Sequence, residues 1–148
     1  MGQYYYVVNL DKKQYLHPHR MGDGLKLMEF GSSADGTMMG LAVLLADGNG
    51  RGGGDLRSDH PIIGSWAGDR IVIAGDYADD GNHVDPEMIT VELIAKARED
   101  RMLEDDEETG DFNLYQIAMY SFEDISAQVR EAFVGDYCGD QMRPSIGG

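Results

Sequence analysis

Polar and apolar positions alternate in short blocks at the start of the chain. Gln3 to Leu10 is rich in Tyr and Val and reads as a β-strand. Asp11-Lys12-Lys13 reads as a turn, after which Gln14 to His17 can pair back as a hairpin. Leu25 to Phe30 is too short to classify. Met38 to Ala46 is apolar on every side, with Thr37 placed to cap it and Gly48 suited to a left-handed exit. A helix apolar all round belongs in the interior, so Leu41, Leu44 and Leu45 are expected to be buried. Residues 48–60 form a Gly-rich loop. Ile62 to Trp66 and Arg70 to Ala74 read as strands flanking an Ala67-Gly68-Asp69 turn.

In the second half, Asp85-Pro86-Glu87 carries the signals of a helix start, and that helix would run to about Leu103. The β-branched run Ile89-Thr90-Val91 allows a short strand as the rival. Phe112 to Phe122 is almost continuously apolar and of a length that suits a buried strand. Ser121-Phe122-Glu123-Asp124 resembles a capping box. Ile125, Val129 and Phe133 recur every four residues, and Gly135 is placed to end that last helix. The order ββ-α-ββ-α-β-α predicts an α+β fold in a single domain, residues 1–148, with a mostly antiparallel sheet and three packed helices.

Charge divides the chain. Residues 1–75 hold seven Lys/Arg against eight Asp/Glu, whereas residues 76–148 hold five against nineteen. Fourteen of the twenty glycines lie in the first half. A chain with net charge −15 is expected not to hold nucleic acid directly, because such affinity comes from neutralising phosphates. An anionic ligand would be tolerated only by the near-neutral half. The segment Glu99 to Asp111, with eight acids and one Arg, is expected to be solvated. No apolar run reaches the length of a bilayer span, the first residues lack signal-peptide character, and Cys138 is the single cysteine. These features predict a cytoplasmic protein with no membrane association.

The run Gly48-Asn49-Gly50-Arg51-Gly52-Gly53-Gly54-Asp55, followed by Arg57, is the most distinctive feature. Glycines let main-chain N–H groups converge on an anion, and Arg supplies a forked donor. The loop follows a helix, so it is not a P-loop, and the Lys-Ser/Thr pair of that motif is missing. A plain surface connection is the alternative. Trp66, Asp69 and Arg70 at the expected hairpin tip could stack on and bond to a base or sugar. A Trp in a strand also belongs naturally to a core. His17-Pro18-His19 offers imidazoles, of which His19 could contact a ligand, but with His60 and His83 it lacks metal-ligand spacing. Asp76, Asp79, Asp80, Asn82, Asp85 and Glu87 do not follow the EF-hand pattern. No metal and no cofactor is expected.

The segments Gly2-Gln3-Tyr4, Asn9-Leu10-Asp11, Pro18-His19, Gly22 to Lys26, Asn49 to Asp55 and Trp66 to Arg70 make residues 1 to about 80 similar to a family of small bacterial and phage proteins of uncharacterised activity. The resemblance implies a bacterial or phage-encoded source and no particular chemistry. The function expected from the residues is a non-catalytic binding protein. Its ligand would be small and phosphorylated or nucleotide-like, held by Asn49, Arg51, Gly52, Gly53, Gly54, Asp55, Arg57, Trp66, Asp69, Arg70 and His19. In a phage setting that ligand would be a host signalling nucleotide. Two rivals stand beside it. One is an acidic inhibitor that imitates nucleic-acid charge toward a basic protein partner. The other is a nucleotide hydrolase or transferase using His19 or Asp69. A homo-oligomer is a further option.

Overall fold

The first strand, β1 (Tyr5–Asn9), is the centre of the structure. In the computed structural model, which describes residues 2–101 and 111–137, it pairs on both sides. It runs antiparallel to β2 (Gln14–Leu16), with Val7 opposite Leu16, and antiparallel to β3 (Ile71–Gly75), with Val7 opposite Ile73. A two-residue strand, β4 (Glu123–Asp124), joins β2 in parallel, giving a four-stranded mixed sheet in the order β3-β1-β2-β4. Among the described residues five α-helices complete the α+β fold: α1 (Leu27–Gly31), α2 (Thr37–Leu45), α3 (Val91–Glu99), α4 (Leu114–Ser121) and α5 (Ser126–Tyr137).

The alternation along β1 distributes these helices over both faces of the sheet. Tyr6 and Val8 pack with Tyr15, Ala74, Leu93, Ala97, Leu114, Tyr115 and Ile117, so α3 and α4 cover one face. Val7 and Leu16 pack with Phe30, Val43, Leu44, Trp66, Val129 and Phe133, so α1, α2 and α5 cover the other. The sheet is thus the middle of three layers, and its strands are apolar on both sides because both sides are covered.

Several elements differ from the sequence expectation, each for a local reason. Phe112 to Phe122 is not a strand but holds α4. Asn113 Oδ1 accepts the Gln116 N–H at 3.0 Å, and Gln116 Oε1 accepts the Asn113 N–H at 2.9 Å. This reciprocal cap starts a helix whose buried positions are Leu114, Tyr115, Ile117 and Ala118. The Asn113 amide also donates to the carbonyls of Asp76 and Ala78, at 2.9 and 3.2 Å, which fixes the helix start against the end of β3.

Ile62 to Trp66 is not a strand either. The segment winds through successive turns, with Ser65 N–H to Ile62 O at 3.0 Å and Ala67 N–H to Gly64 O at 3.1 Å. Its outward amides serve α2 instead of a sheet: Gly64 donates to Val43 O at 3.0 Å and Trp66 to Leu44 O at 2.9 Å. These are carbonyls that a helix C-terminus leaves without intrahelical partners.

Smaller corrections follow the same logic. Thr37 is not the cap of α2; its N–H and hydroxyl both bond the Asp23 carboxylate at 2.7 Å, and Asp23 is the group that satisfies this helix end. Leu44 is fully buried and Leu41 half-buried, but Leu45 is 39% exposed, because α2 is covered on one side only. Asp85-Pro86-Glu87 opens a single 3₁₀ turn, Pro86–Met88. The helix proper begins when Thr90 Oγ1 accepts the Leu93 N–H at 3.1 Å, so Ile89-Thr90-Val91 is a cap and not a strand. Where Ser121 to Asp124 was expected to form a capping box, Ser121 ends α4 and Glu123–Asp124 forms β4, although Asp124 Oδ1 does accept the Ser126 N–H at 2.9 Å. Ile125, Val129 and Phe133 are buried as their spacing implies, and α5 continues past Gly135 to Tyr137. Cys138, Leu103 and the acids Glu104 to Glu108 lie outside the described residues.

Candidate functional site

The Gly-rich segment leaves α2 at Ala46 and returns to it at Gly64. Asn49 organises the path between. Its Oδ1 accepts the Leu56 N–H at 2.9 Å, and its Nδ2 donates to the carbonyls of Leu56 and Ser58 at 3.2 and 3.3 Å. Gly48, Gly50 and Gly54 have φ near +90°, values that side-chain-bearing residues rarely adopt, so these three of the run's glycines are required by its turns. The N–H groups of Gly50 and Arg51 do converge on an anion, as glycine-rich loops allow. That anion is the chain's own Asp55 carboxylate, at 3.0 and 2.8 Å.

Against this loop lies an open groove of about 610 Å³, bounded by Ala46 to Gly50 on one side and Arg57 to Gly64 on the other. Polar side chains, Asn49, Arg57, Ser58 and His60 among them, outnumber the apolar lining of Ala46, Pro61 and Ile63. His60 Nδ1 accepts the Ile62 N–H at 3.1 Å, which leaves Nε2 as the free ring position. A smaller recess of about 160 Å³, lined by Met39, Ala42, Val43 and Leu56, shares Ala46, Asn49 and Ile63 with the groove. Arg57 is exposed and, among the described residues, forms no ion pair. The negative end of the α2 dipole and Asp47 and Asp59 also face this region, so Arg57 is its counterweight.

The remaining candidates are placed elsewhere. Arg51, Gly52 and Gly53 are exposed at the tip of the loop, outside the groove lining, and Gly54 and Asp55 border the recess. Trp66 is fully buried, and its Nε1 donates to Gln14 Oε1 at 2.8 Å. It is a core side chain with no surface to offer a ligand. Asp69 Oδ2 receives Asn9 Nδ2 at 2.9 Å and Lys12 Nζ at 2.5 Å. Those two donors, Lys12 foremost, hold its carboxyl below the ordinary range. Arg70 is engaged with Asp11, through its own N–H at 2.8 Å, Nε at 2.9 Å and Nη2 at 2.8 Å. Asn9-Leu10-Asp11 and Asp69-Arg70 are therefore each other's partners, and together they clamp the turn of the first hairpin to the start of β3.

His19 sits exposed on the 3₁₀ turn Pro18–Met21 and stacks on His17, ring centroids 5.9 Å apart. The sequence offers His17 only together with His19, as one of two imidazoles, and its surroundings are unusual. It rests against Tyr6 at 4.9 Å, and Tyr6 stacks face to face on Tyr115 at 4.0 Å. His17 Nδ1 is buried without a hydrogen-bond partner among the described residues. Burial holds the His17 imidazole below its usual pKa, outweighing the nearby Asp124 carboxylate. Burial also pushes Tyr15 up to about 12 and raises Tyr115 further. The cluster is a packed layer between sheet and α4, and its one unmet polar atom is the feature that sequence could not show. Among the described residues no three His, Cys, Asp or Glu side chains converge as a metal site. Among the described residues His19 meets His17, and Asp69 meets Asn9 and Lys12, so no hydrogen bond, ion pair or ring contact joins His19 to Asp69.

Among the described residues no helix is long and apolar enough to cross a membrane. Compared with protein-family models, with curated proteins and with solved structures, the chain shows no match.

Proposed function

We propose that the protein is a non-catalytic binding protein whose ligand is small and nucleotide-like, held in the groove between the end of α2 and the turns 57–64. The observation that carries this reading is the pairing of Arg57, exposed and without an ionic partner among the described residues, with an adjoining apolar recess. Ligand pockets commonly span about 300–1,000 Å³, and this groove falls in that range; its lining is mostly polar, with Ala46, Pro61 and Ile63 as its apolar part. Arg57 and His60 Nε2 would meet a phosphate. Ile63, Pro61 and the recess would take the flat apolar part, and Asp47 or Asp59 would accept from sugar hydroxyls or exocyclic amines.

The loop amides are not assigned to the ligand, because Asp55 already occupies them. Arg51 is free to reach a bound phosphate from the loop tip, whereas Asp69, Arg70 and Trp66 are structural on this reading. In a bacterial cytoplasm, with the gene carried by a phage, the ligand would be a host signalling nucleotide removed by sequestration.

The test is a thermal-shift screen against nucleotides, cyclic nucleotides and divalent cations. A ligand at 100 times its dissociation constant stabilises the native state by roughly 2.7 kcal/mol, which is a readable shift. The expected result is stabilisation by a phosphorylated nucleotide that disappears in Arg57→Ala. Stabilisation by divalent cations alone, or by no compound in the screen, contradicts the proposal.

A further inference from the structure

The groove between the end of α2 and the turns 57–64 has few groups left to offer a ligand, and they differ in kind. Arg57 is the one cation in its lining, and His60 is a second donor. Because His60 Nδ1 accepts the Ile62 N–H at 3.1 Å, the hydrogen of the neutral ring lies on Nε2, which donates without carrying charge. Neighbouring loop donors are already taken. The Asn49 amide is spent on the carbonyls of Leu56 and Ser58, and the Gly50 N–H on Asp55. The acceptors are Asp47 and Asp59. Both line the groove and both are exposed, and among the described residues neither side chain forms a hydrogen bond or an ion pair. Asp47 follows Ala46, the residue that borders both the groove and the apolar recess. Asp59 lies in the chain between Arg57 and His60. One carboxylate thus stands next to the recess and the other next to the two donors.

We infer that the groove selects a guanine nucleotide carrying a single phosphate, with Asp47 reading the base and Asp59 limiting the phosphate charge; this rests on the nucleotide reading of the groove given above. A flat ring entering the recess of about 160 Å³ turns its edge toward Asp47. An ionised carboxylate only accepts, with two oxygens side by side. Guanine presents two adjacent donors on one edge, N1–H and the exocyclic amine, and the carboxylate takes both together. Adenine and cytosine set a ring-nitrogen lone pair beside their amine, and uracil flanks its one N–H with two carbonyls. Each of these brings a lone pair against a carboxylate oxygen. At the other end, two carboxylates and one guanidinium leave the lining with a charge of −1, to which the negative end of α2 adds. Arg57 and His60 can match one phosphate. Every further phosphate brings charge that no cation of the lining meets and that Asp59 repels. Like charges about 7 Å apart weaken binding about threefold even in water. Arg51, at the loop tip and outside the lining, at most brings this region to neutrality.

Isothermal titration calorimetry of the full chain tests this with the 5′-monophosphates of guanosine, inosine, adenosine, cytidine and uridine, and with guanosine triphosphate. Guanosine monophosphate is expected to bind tightest. Inosine monophosphate, which lacks only the exocyclic amine, is expected to bind about fivefold or more weakly, the lower bound for losing a bidentate base contact. Guanosine triphosphate is expected to lose about threefold for each added charge. Asp47→Asn supplies one acceptor and one donor, the pair that Asn uses on adenine, and is expected to move the preference from guanine to adenine. Asp59→Asn is expected to keep the base preference and to narrow the gap between monophosphate and triphosphate. Both substitutions keep the side-chain shape at exposed positions, so the fold is retained. A wild type that binds inosine or adenosine monophosphate as tightly as guanosine monophosphate, or the triphosphate as tightly, overturns the inference and leaves an Arg57-dependent nucleotide site standing. A base preference unmoved by Asp47→Asn, or a phosphate gap unmoved by Asp59→Asn, overturns it in the same way. Absence of binding by every nucleotide overturns both the inference and the reading beneath it.

Discussion

Asn9 is a fully buried polar residue in the central strand, and replacing it with Ala isolates what the hairpin clamp contributes. Its Oδ1 accepts the N–H groups of Asp11 and Lys12, both at 2.8 Å, and its Nδ2 reaches Asp69. A hydrogen bond of this kind is worth about 0.5–1.5 kcal/mol net. Losing the two turn bonds therefore costs roughly 1–3 kcal/mol. At about 2–4 °C per kcal/mol for a chain of this size, the melting temperature should fall by roughly 2–12 °C. Differential scanning calorimetry reads the change directly. Asn9→Asp keeps both acceptor bonds but sets a second carboxylate against Asp69, so its stability should rise as pH is lowered toward the carboxylate range. An Asn9→Ala melting temperature equal to that of the wild type would refute the assignment of these residues to the fold. It would return Asp69 and Arg70 to the list of ligand contacts.

Leu44→Ala removes a fully buried side chain at the α2–sheet contact and should cost about 2–5 kcal/mol in urea unfolding, through lost transfer energy and a cavity. Asn113→Ala removes the cap of α4 and should cost about 0.5–2 kcal/mol, with faster amide exchange in residues 114–121 than elsewhere. His17 titrates below its ordinary value of 6.5 because burial disfavours the cation. Its contribution is therefore fully present above 6.5 and is lost as pH falls through the lowered folded value. Stability should decline below pH 6.5 with a slope that His17→Gln flattens. The carboxylates of Asp11 and Asp69, both held below 3.8, act only in a more acidic window.

The first hairpin and the last helix were legible because their signals are local: the Tyr- and Val-rich composition of Tyr5–Asn9, and the four-residue spacing of Ile125, Val129 and Phe133. The α2 helix was legible as core, although its composition could not tell which side remains open at Leu45. Phe112 to Phe122 was misread because a continuous apolar run has no period; the deciding residue, Asn113, lies at its edge and acts through Gln116. Ile62 to Trp66 has strand composition, and only the unmet carbonyls of α2 explain why it winds into turns. The same limit applied to the site. Arg70, Asp69 and Trp66 look like a binding motif in sequence, and their partners Asp11, Asn9, Lys12 and Gln14 lie more than fifty residues earlier. Arg57, by contrast, sits within the loop that composition had already marked, whereas the apolar residues of the groove, Ala46, Pro61 and Ile63, come from the segments on either side of it.

The central claim is that a nucleotide-like ligand binds between the end of α2 and residues 57–64. Backbone amide NMR of the labelled protein, titrated with a panel of nucleoside phosphates, tests it most directly. The account predicts shift changes concentrated in residues 46–64, saturating with ligand and lost in Arg57→Ala, while the amides of residues 9–12 and 69–70 stay in place. Changes centred on 9–12 and 69–70, or shifts that persist undiminished in Arg57→Ala, would contradict it.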